Sequence, residues 1–277
     1  MKPAPFQLHQ VHSRKEALSL LEKYKDDAKV LAGGQTLVPV LAMRVASPDH
    51  LIDINKVEEF KKIEVQNDLL RIGPGVRQAQ LENWVELYKT QPLLSMMFPW
   101  VSHTAIRNRG TVCGSIAHAD PSSELVLALA VLRGTVELSS KKAVRKIRAA
   151  EFFIGALQTD RKSNELISAV NFPIAKKDEG YGFAEYGYRH GDFAVVAVAV
   201  VKRDDHWRIG FGGIDDVPIV VEVNAASTSK AIEFLEKTSS DIEVREDPTA
   251  TSGLRRHLMR TLGKRACMQA EEFKGIS

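Results

Sequence analysis

Between His103 and Glu124 the chain reads HTAIRNRGTVCGSIAHADPSSE, a stretch whose residue types and spacing suit one kind of chemistry. Arg107, Asn108 and Arg109 lead into Gly110-Thr111-Val112-Cys113-Gly114-Ser115. Small residues follow, then Asp120-Pro121-Ser122-Ser123-Glu124 and an apolar helical run from Leu125 to Leu132. Glycines let a backbone come close to a ligand and turn its N–H groups toward it. The Thr and Ser hydroxyls add donors, and Ser122 or Ser123 is placed to cap the helix that follows. This is chemistry for holding a phosphate-bearing ligand.

A second stretch of the same character, Ala32-Gly33-Gly34-Gln35-Thr36, falls where a short apolar strand gives way to a helix. The backbone N–H groups of Gly33 to Thr36 can face a diphosphate, with the helix start adding positive potential. Taken alone this is a weak signal, since Gly-Gly between a strand and a helix is commonly a plain turn. It is neither a G-x-G-x-x-G dinucleotide fingerprint nor a P-loop, because no G-K-[ST] occurs. Two such loops on neighbouring lobes can grip one dinucleotide between them, and that pairing raises the signal.

The elements that must position these loops follow from pattern. Ser13-Arg14-Lys15-Glu16 is a capping box opening a helix with Ala17, Leu18, Leu21 and Tyr24 on one face. Lys29–Ala32 and Leu51–Ile54 read as short strands, and residues 35–44 as a helix with Pro39 in its first turn. A hairpin is expected around Asn67-Asp68, then an amphipathic helix from Gln80 to Tyr88 built on Leu81, Trp84, Val85 and Tyr88. Thr135–Ser139 and Glu165–Pro173 read as strands. Beyond them, Gly182–Tyr188, Ala194–Lys202 and Trp207–Gly212 suggest a three-stranded meander, followed by helices at Thr228–Lys237 and Leu254–Met268. The expected division is 1–55, 56–173 and 174–277.

Composition narrows the class. At 277 residues the chain exceeds one typical domain, and 44% apolar residues suffice for real cores. A formal net charge of +3 does not argue for nucleic acid. No apolar run approaches a membrane span, and the start MKPAPFQLHQ lacks a signal-peptide core, so a cytoplasmic location is expected. Cys113 and Cys267, the two cysteines, cannot supply four thiolates for an iron–sulfur cluster, so any redox metal is expected on another chain. No paired-carboxylate or Ser/His/Asp constellation stands out, so no catalytic acid, base or nucleophile is assigned.

AGGQTLVPVLAMRVASPDHLIDI together with IRNRGTVCGSIAHADPSSELVLALAVL resembles the FAD-binding medium subunit of the molybdenum hydroxylases, the family of carbon monoxide dehydrogenase, quinoline oxidoreductase and xanthine dehydrogenase. ELISAVNFP, GFAEYGYRHGDFAVVAVAV and GFGGIDDVPIVVE fall in the expected order, so the resemblance spans nearly the whole chain. It implies an α+β fold: a two-subdomain FAD-binding domain of the vanillyl-alcohol-oxidase type, then a three-stranded antiparallel sheet with a helical bundle. It implies FAD on this chain, and a molybdopterin cofactor and [2Fe-2S] clusters on a large and a small partner subunit, assembled as a dimer of heterotrimers. Electrons from the clusters would reach the FAD and leave to an external acceptor, with substrate hydroxylation on the molybdenum chain.

Carried over residue by residue, the resemblance assigns Leu31, Ala32, Gly33, Gly34, Gln35, Thr36 and Leu37 to a first pyrophosphate loop, and Thr111, Val112, Cys113, Gly114 and Ser115 to a second. Ala117, His118, Asp120, Ser123 and Glu124 would line the ribityl, ribose and adenine parts. Leu166 or Ile167 would pack near the adenine, and Asp192 and Phe193 would lie near the isoalloxazine ring. Cys113 replaces the first glycine of the usual T-[IL]-G-G, so an extended conformation is expected there.

Plainer roles stand beside these. Cys113 suits a small buried filler, His103 and His118 satisfied hydrogen-bonding residues, and Arg107 and Arg109 partners for surface acids. Asp120 and Glu124 suit helix capping, and the basic run from Arg255 to Arg265 a solvated helix face with partner docking as the minor reading. Two rival functions remain: a self-contained flavin oxidase of the vanillyl-alcohol type, and a flavin-less scaffold that only bridges partners.

Overall fold

The computed structural model describes residues 2–273 and 275. The first unit comprises β1 (Gln7–Gln10), α1 (Arg14–Tyr24), β2 (Ala28–Leu31), α2 (Leu37–Ala42) and β3 (His50–Asp53). Its strands form a parallel sheet in the order β1-β3-β2. The capping box is present: Ser13 Oγ accepts from Glu16 N at 3.2 Å, and Glu16 Oε2 accepts from His12 N at 3.0 Å. Ala17, Leu18 and Leu21 are buried with Val11, Ile52, Ile54 and Phe60 in a small separate core. Tyr24 packs against the same core, partly buried, and stacks on His50 with ring centroids 3.6 Å apart. Strand β1 is an addition to the pattern-based reading, since QLHQ is mostly exposed and has no apolar run to announce it.

The second unit opens with β4 (Ile63–Gln66) and β5 (Leu69–Ile72), joined at Asn67-Asp68 as expected, with φ of 51° and 58°. These left-handed values are those of the hairpin turn that matches strand twist. Next come α3 (Gln78–Glu82), α4 (Leu87–Thr90), α5 (Pro92–Met97), α6 (Thr104–Arg107), α7 (Val112–His118) and α8 (Glu124–Val131). The single helix expected over 80–88 is broken between α3 and α4. Val85 is 88% exposed and Tyr88 51%, so two of the four supposed face residues bury nothing useful. Helix α8, by contrast, is apolar all round and buried from Glu124 through Leu129.

The unit closes with β6 (Thr135–Ser139), β7 (Val144–Arg148), α9 (Ala149–Phe152), the short pair β8 (Phe153–Gly155) and β9 (Gln158–Thr159), and β10 (Leu166–Pro173). Antiparallel pairing gives a sheet ordered β4-β5-β10-β6-β7. Strand β10 is central and nearly all buried, which is why its sequence reads as an unbroken apolar run.

The last unit contains β11 (Glu179–Tyr186), β12 (Val196–Arg203), β13 (His206–Gly212), β14 (Ile219–Asn224), α10 (Thr228–Asp241) and α11 (Ser252–Glu272). The meander has four strands rather than three, β14 being the half-exposed edge. One face of the sheet packs on α10 and α11. The other, through Tyr181, Phe183, Ala197, Ala199 and Val201, joins the same core as α5, α7 and α8. Helix α11 runs so close to β11 that a Cβ on Gly180 or Gly182 would overlap the carbonyl oxygens of Ala270 and Ala266. Arg255, expected on a solvated face, is 1% exposed and donates to Asp247 and to the carbonyls of Val195 and Gly213.

Candidate functional site

Residues 32–36 leave the end of β2 and enter α2, and the two glycines there meet different demands. Gly34 has φ +73°, a left-handed value that a Cβ disfavours. Gly33 lies backbone to backbone against the second loop. A Cβ built on it would stand 2.7 Å from Arg109 O, 2.8 Å from Gly110 Cα and 3.0 Å from Thr111 N. The two glycine-bearing segments are therefore in direct contact.

Side chains outside both motifs hold that contact. Arg77 Nη1 donates to Arg109 O, and its Nη2 donates to Asn55 Oδ1 at 2.6 Å. Asn55 Nδ2 in turn donates to Ala32 O at 3.0 Å, so one chain of hydrogen bonds joins the loops. Burial first, then nearby Arg109, lower the Arg77 pKa from its ordinary value. Gln78 N donates to Gly110 O at 2.9 Å and Val112 N to Val76 O at 3.2 Å, fixing the second loop against the start of α3.

The first loop presents donors outward. Three of the carbonyls from Gly33 to Thr36 are occupied: Gly33 O accepts from Gln35 Nε2 at 3.0 Å, Gly34 O from Val38 N at 3.0 Å, and Thr36 O from Val40 N at 3.2 Å. Among the described residues, no carbonyl or side chain accepts from the backbone N–H of Gly33, Gly34, Gln35 or Thr36. Unpaired N–H groups gathered at one turn form a concavity that favours anionic oxygen. Leu31, Ala32 and Leu37 flank it, partly buried.

The second segment is helical rather than open. Thr111 caps α7, its Oγ1 accepting from Gly114 N at 3.0 Å. Cys113 lies within α7, so it is helical and not extended as expected from its place in the motif. Its Sγ sits 3.4 Å from Ile72 O, and burial pushes its pKa up to about 12, which makes it an inert filler. Val112 is buried beside it, whereas Gly114 and Ala117 are exposed and Ser115 and His118 partly so. The outward face of α7 is thus built of small residues, leaving the helix backbone open to a ligand.

Ala119, φ +53°, ends α7. Asp120 Oδ1 then accepts from Ser122 N at 2.9 Å, and its Oδ2 lies 3.8 Å from His118 Nε2. Ser123 occupies the N-cap position of α8 but makes no cap bond; its Oγ lies 3.0 Å from Ser115 Oγ. The capping expected of Ser122 or Ser123 is therefore not made. Glu124, the first residue of α8, is 6% exposed. Arg107 is also buried rather than paired at the surface. Its Nε is 2.7 Å from Glu82 Oε2, and it donates to the carbonyls of Val101 and Ser102. Arg109 is exposed.

Leu166 and Ile167 open β10, 3% and 4% exposed, the first in the N-terminal core and the second in the core of α7 and α8. On the C-terminal unit, Asp192 is exposed and Phe193 is 71% exposed. Their loop touches the approach to the second segment. A Cβ on Gly191, φ +85°, would lie 2.7 Å from the His103 ring, and His190 meets Trp100 edge-on at 5.4 Å. Two shallow hollows elsewhere, one edged by Asp26, Asp27 and Asp49 and one by Glu179, Lys202 and Glu271, share no residue with these loops.

Glu185 on β11 is 8% exposed, and its Oε2 is buried without a hydrogen-bond partner among the described residues. Burial raises its pKa, and repulsion from Glu124 raises it further. Glu124 is raised as well, by burial first, while its own backbone N–H opposes the rise, Asp120 adds to it and Arg107 opposes it. Asn55, Arg77 and Glu185 were not singled out from sequence. Nothing in their neighbourhoods marks the first two. The signal available for Glu185 was its parity, since Tyr181 and Phe183 at alternate positions of the same strand point into the core.

Comparison with known proteins agrees with this geometry. Residues 4–175 match the family described as FAD binding domain in molybdopterin dehydrogenase. The caffeine dehydrogenase subunit beta of Pseudomonas sp. (strain CBB1) is 35% identical over 225 residues, 79% of this chain and 76% of that one. The glyceraldehyde dehydrogenase medium chain of Sulfolobus acidocaldarius is 30% identical over 280 residues, covering 96% and 98%. The solved quinoline 2-oxidoreductase from Pseudomonas putida 86 superposes with a TM-score of 0.90 at 29% identity, over 98% of each chain. The chain belongs to the FAD-binding medium subunits of the molybdenum hydroxylases, a family of oxidoreductases.

Proposed function

We propose that this chain holds FAD between its two glycine-bearing segments and serves as the electron-relay subunit of a molybdenum-containing dehydrogenase. The observation that carries the reading is the row of unpaired N–H groups at Gly33, Gly34, Gln35 and Thr36, which Gly33 presses against the backbone of Arg109 to Thr111. In this reading Leu31 to Leu37 and Thr111 to Ser115 receive the pyrophosphate. Ala117, His118, Asp120, Ser123 and Glu124 meet the sugar and ribityl portions, and Leu166 or Ile167 lies toward the adenine. Asp192 and Phe193 approach the ring system. FAD, when bound, accepts electrons singly and passes them on in pairs; the chain's own part is to bind it, orient it and surround it with fixed dipoles.

Substrate oxidation then belongs to a large molybdopterin-binding subunit, and electrons arrive through [2Fe-2S] clusters of a small subunit before leaving to an external acceptor. A dimer of heterotrimers in the cytoplasm is the assembly this implies. Among the described residues no helix is long and apolar enough to cross a membrane. The test is to express the chain with and without its two partners. A yellow protein with stoichiometric FAD, no substrate turnover alone, and co-purification with a molybdopterin chain and a cysteine-rich chain are expected. A colourless protein that takes up no added FAD overturns the reading, and turnover by the single chain replaces it with a self-contained flavin oxidase.

A further inference from the structure

His9 on β1 and His50 at the start of β3 lie outside the glycine segments, on the small parallel sheet of the first unit. The register sets Gln7 beside His50, so His9, two residues on, shares a sheet face with it. His9 Nε2 stands 3.0 Å from His50 Nδ1, and both residues are partly exposed. Tyr24 backs the pair, its ring stacked on His50 at 3.6 Å and on His9 at 5.4 Å. Imidazole nitrogens bind divalent first-row metals at about 2.0–2.1 Å, so two at right angles stand about 2.9 Å apart and two at tetrahedral angles about 3.3 Å. The observed spacing is that of neighbouring positions on a square-planar or octahedral ion, and it falls short of the tetrahedral one. Asp26, Asp27 and Asp49 edge a hollow at the same end of the sheet, Asp49 one residue before His50, and their charge draws cations. Lys23 opposes this, but its Nζ is tied to the Tyr24 hydroxyl at 3.0 Å.

We propose that His9 and His50 form a two-histidine site for a divalent transition-metal ion of tetragonal geometry, copper(II) foremost. Among the described residues, no three His, Cys, Asp or Glu side chains gather to enclose a metal. The chain therefore supplies two ligands, and water or a small chelating anion keeps the remaining positions. Coordination replaces the hydrogen bond between the two rings. The donor ring's proton moves through solvent to its far nitrogen, so both imidazoles stay neutral, with His9 Nδ1 and His50 Nε2 carrying the protons. Imidazole ligands and open positions suit Cu2+ best and Ni2+ next, while this spacing disfavours Zn2+. Because the ligands come from two strands, a bound ion also staples the edge strand β1 to β3.

Copper(II) iminodiacetate is the probe, since its chelator fills three positions and leaves neighbouring ones for two imidazoles. Titrated into the metal-free full chain and followed by pulsed electron paramagnetic resonance, it should bind once per chain and show two imidazole ligands. His9→Gln and His50→Gln should each weaken binding at least about tenfold and leave a single-imidazole signal, because one ligand loses the chelate advantage of two. Zn2+ should displace the probe at least about tenfold less well than Ni2+. Failure to bind, a single-imidazole signal in the wild type, or two imidazoles that persist in His9→Gln overturns the site, and Zn2+ competing as well as Ni2+ overturns its right-angle geometry. His9 lies on a mostly exposed strand, so its variant keeps the fold, which circular dichroism checks. Should His50→Gln unfold, His9→Gln decides alone.

Discussion

Gly33 and Arg255 show how much single positions decide here. Gly33 has no room for a Cβ because three backbone atoms of the second loop occupy it. Gly33→Val therefore forces the loops apart, at about 1–3 kcal/mol of overpacking, and FAD affinity measured by equilibrium dialysis falls at least about tenfold. Arg255 is buried with its charge answered by Asp247, so Arg255→Ala should cost about 3–5 kcal/mol in a urea titration. The same pair gives a pH dependence. The Thr249 hydroxyl chiefly, then backbone N–H groups and Arg255, hold Asp247 down to about 2. A depressed folded pKa stabilises the protein above the ordinary aspartate value and loses that stabilisation as pH falls toward 2. Urea midpoints should accordingly drop between pH 5 and pH 2, and Asp247→Asn should flatten that part of the curve. Of these residues, Gly33 is legible from sequence as a ligand-facing glycine. Arg255 is not, because the basic residues around it make a buried cation look like one more solvated charge.

At the level of elements, what reads clearly is what local rules determine. The Asn67-Asp68 hairpin and the capping box of α1 are set by neighbours in sequence, and both form as expected. Asp68→Gly should raise stability by about 0.5 kcal/mol in a thermal melt, since glycine relieves the left-handed φ at that position. Elements whose form depends on distant partners read poorly. Strand β1 exists because β3 offers it a parallel edge, and the 80–88 helix breaks although its apolar spacing is helical. The stretch from Thr111 to Ser115 is recognisable as a binding segment, yet its helical form is hidden. A glycine there lowers helix propensity, while the Thr111 cap and the burial of Val112, Cys113 and Ile116 restore it.

On the scale of the whole molecule, the largest core ignores the chain's linear order, joining α5, α7 and α8 to one face of the C-terminal sheet. Leu127 and Val131 of α8 lie against Gly210 of β13, where a Cβ would come within 3.0 Å of Leu127. A chain ended at residue 175 would leave that apolar surface in water, so it should show no cooperative melt by circular dichroism, while the full chain melts as a unit. The candidate site inherits this arrangement. Its glycine segments are legible because a ligand-facing backbone needs a special composition. The clasp of Asn55 and Arg77 is not legible, because ordinary residue types acquire those places only once the units come together.

The close approach of α11 to Gly180 and Gly182 has a consequence for the last of these units. Cys267 is fully buried on that helix, and burial holds its thiol unreactive, with a pKa pushed up to about 12. Native protein should be silent to a chromogenic disulfide reagent. Gly182→Ala, by prising the helix from the strand, should release one fast-reacting sulfur while Cys113 stays dark. The chain thus carries its own reporter for the opening of its C-terminal helix.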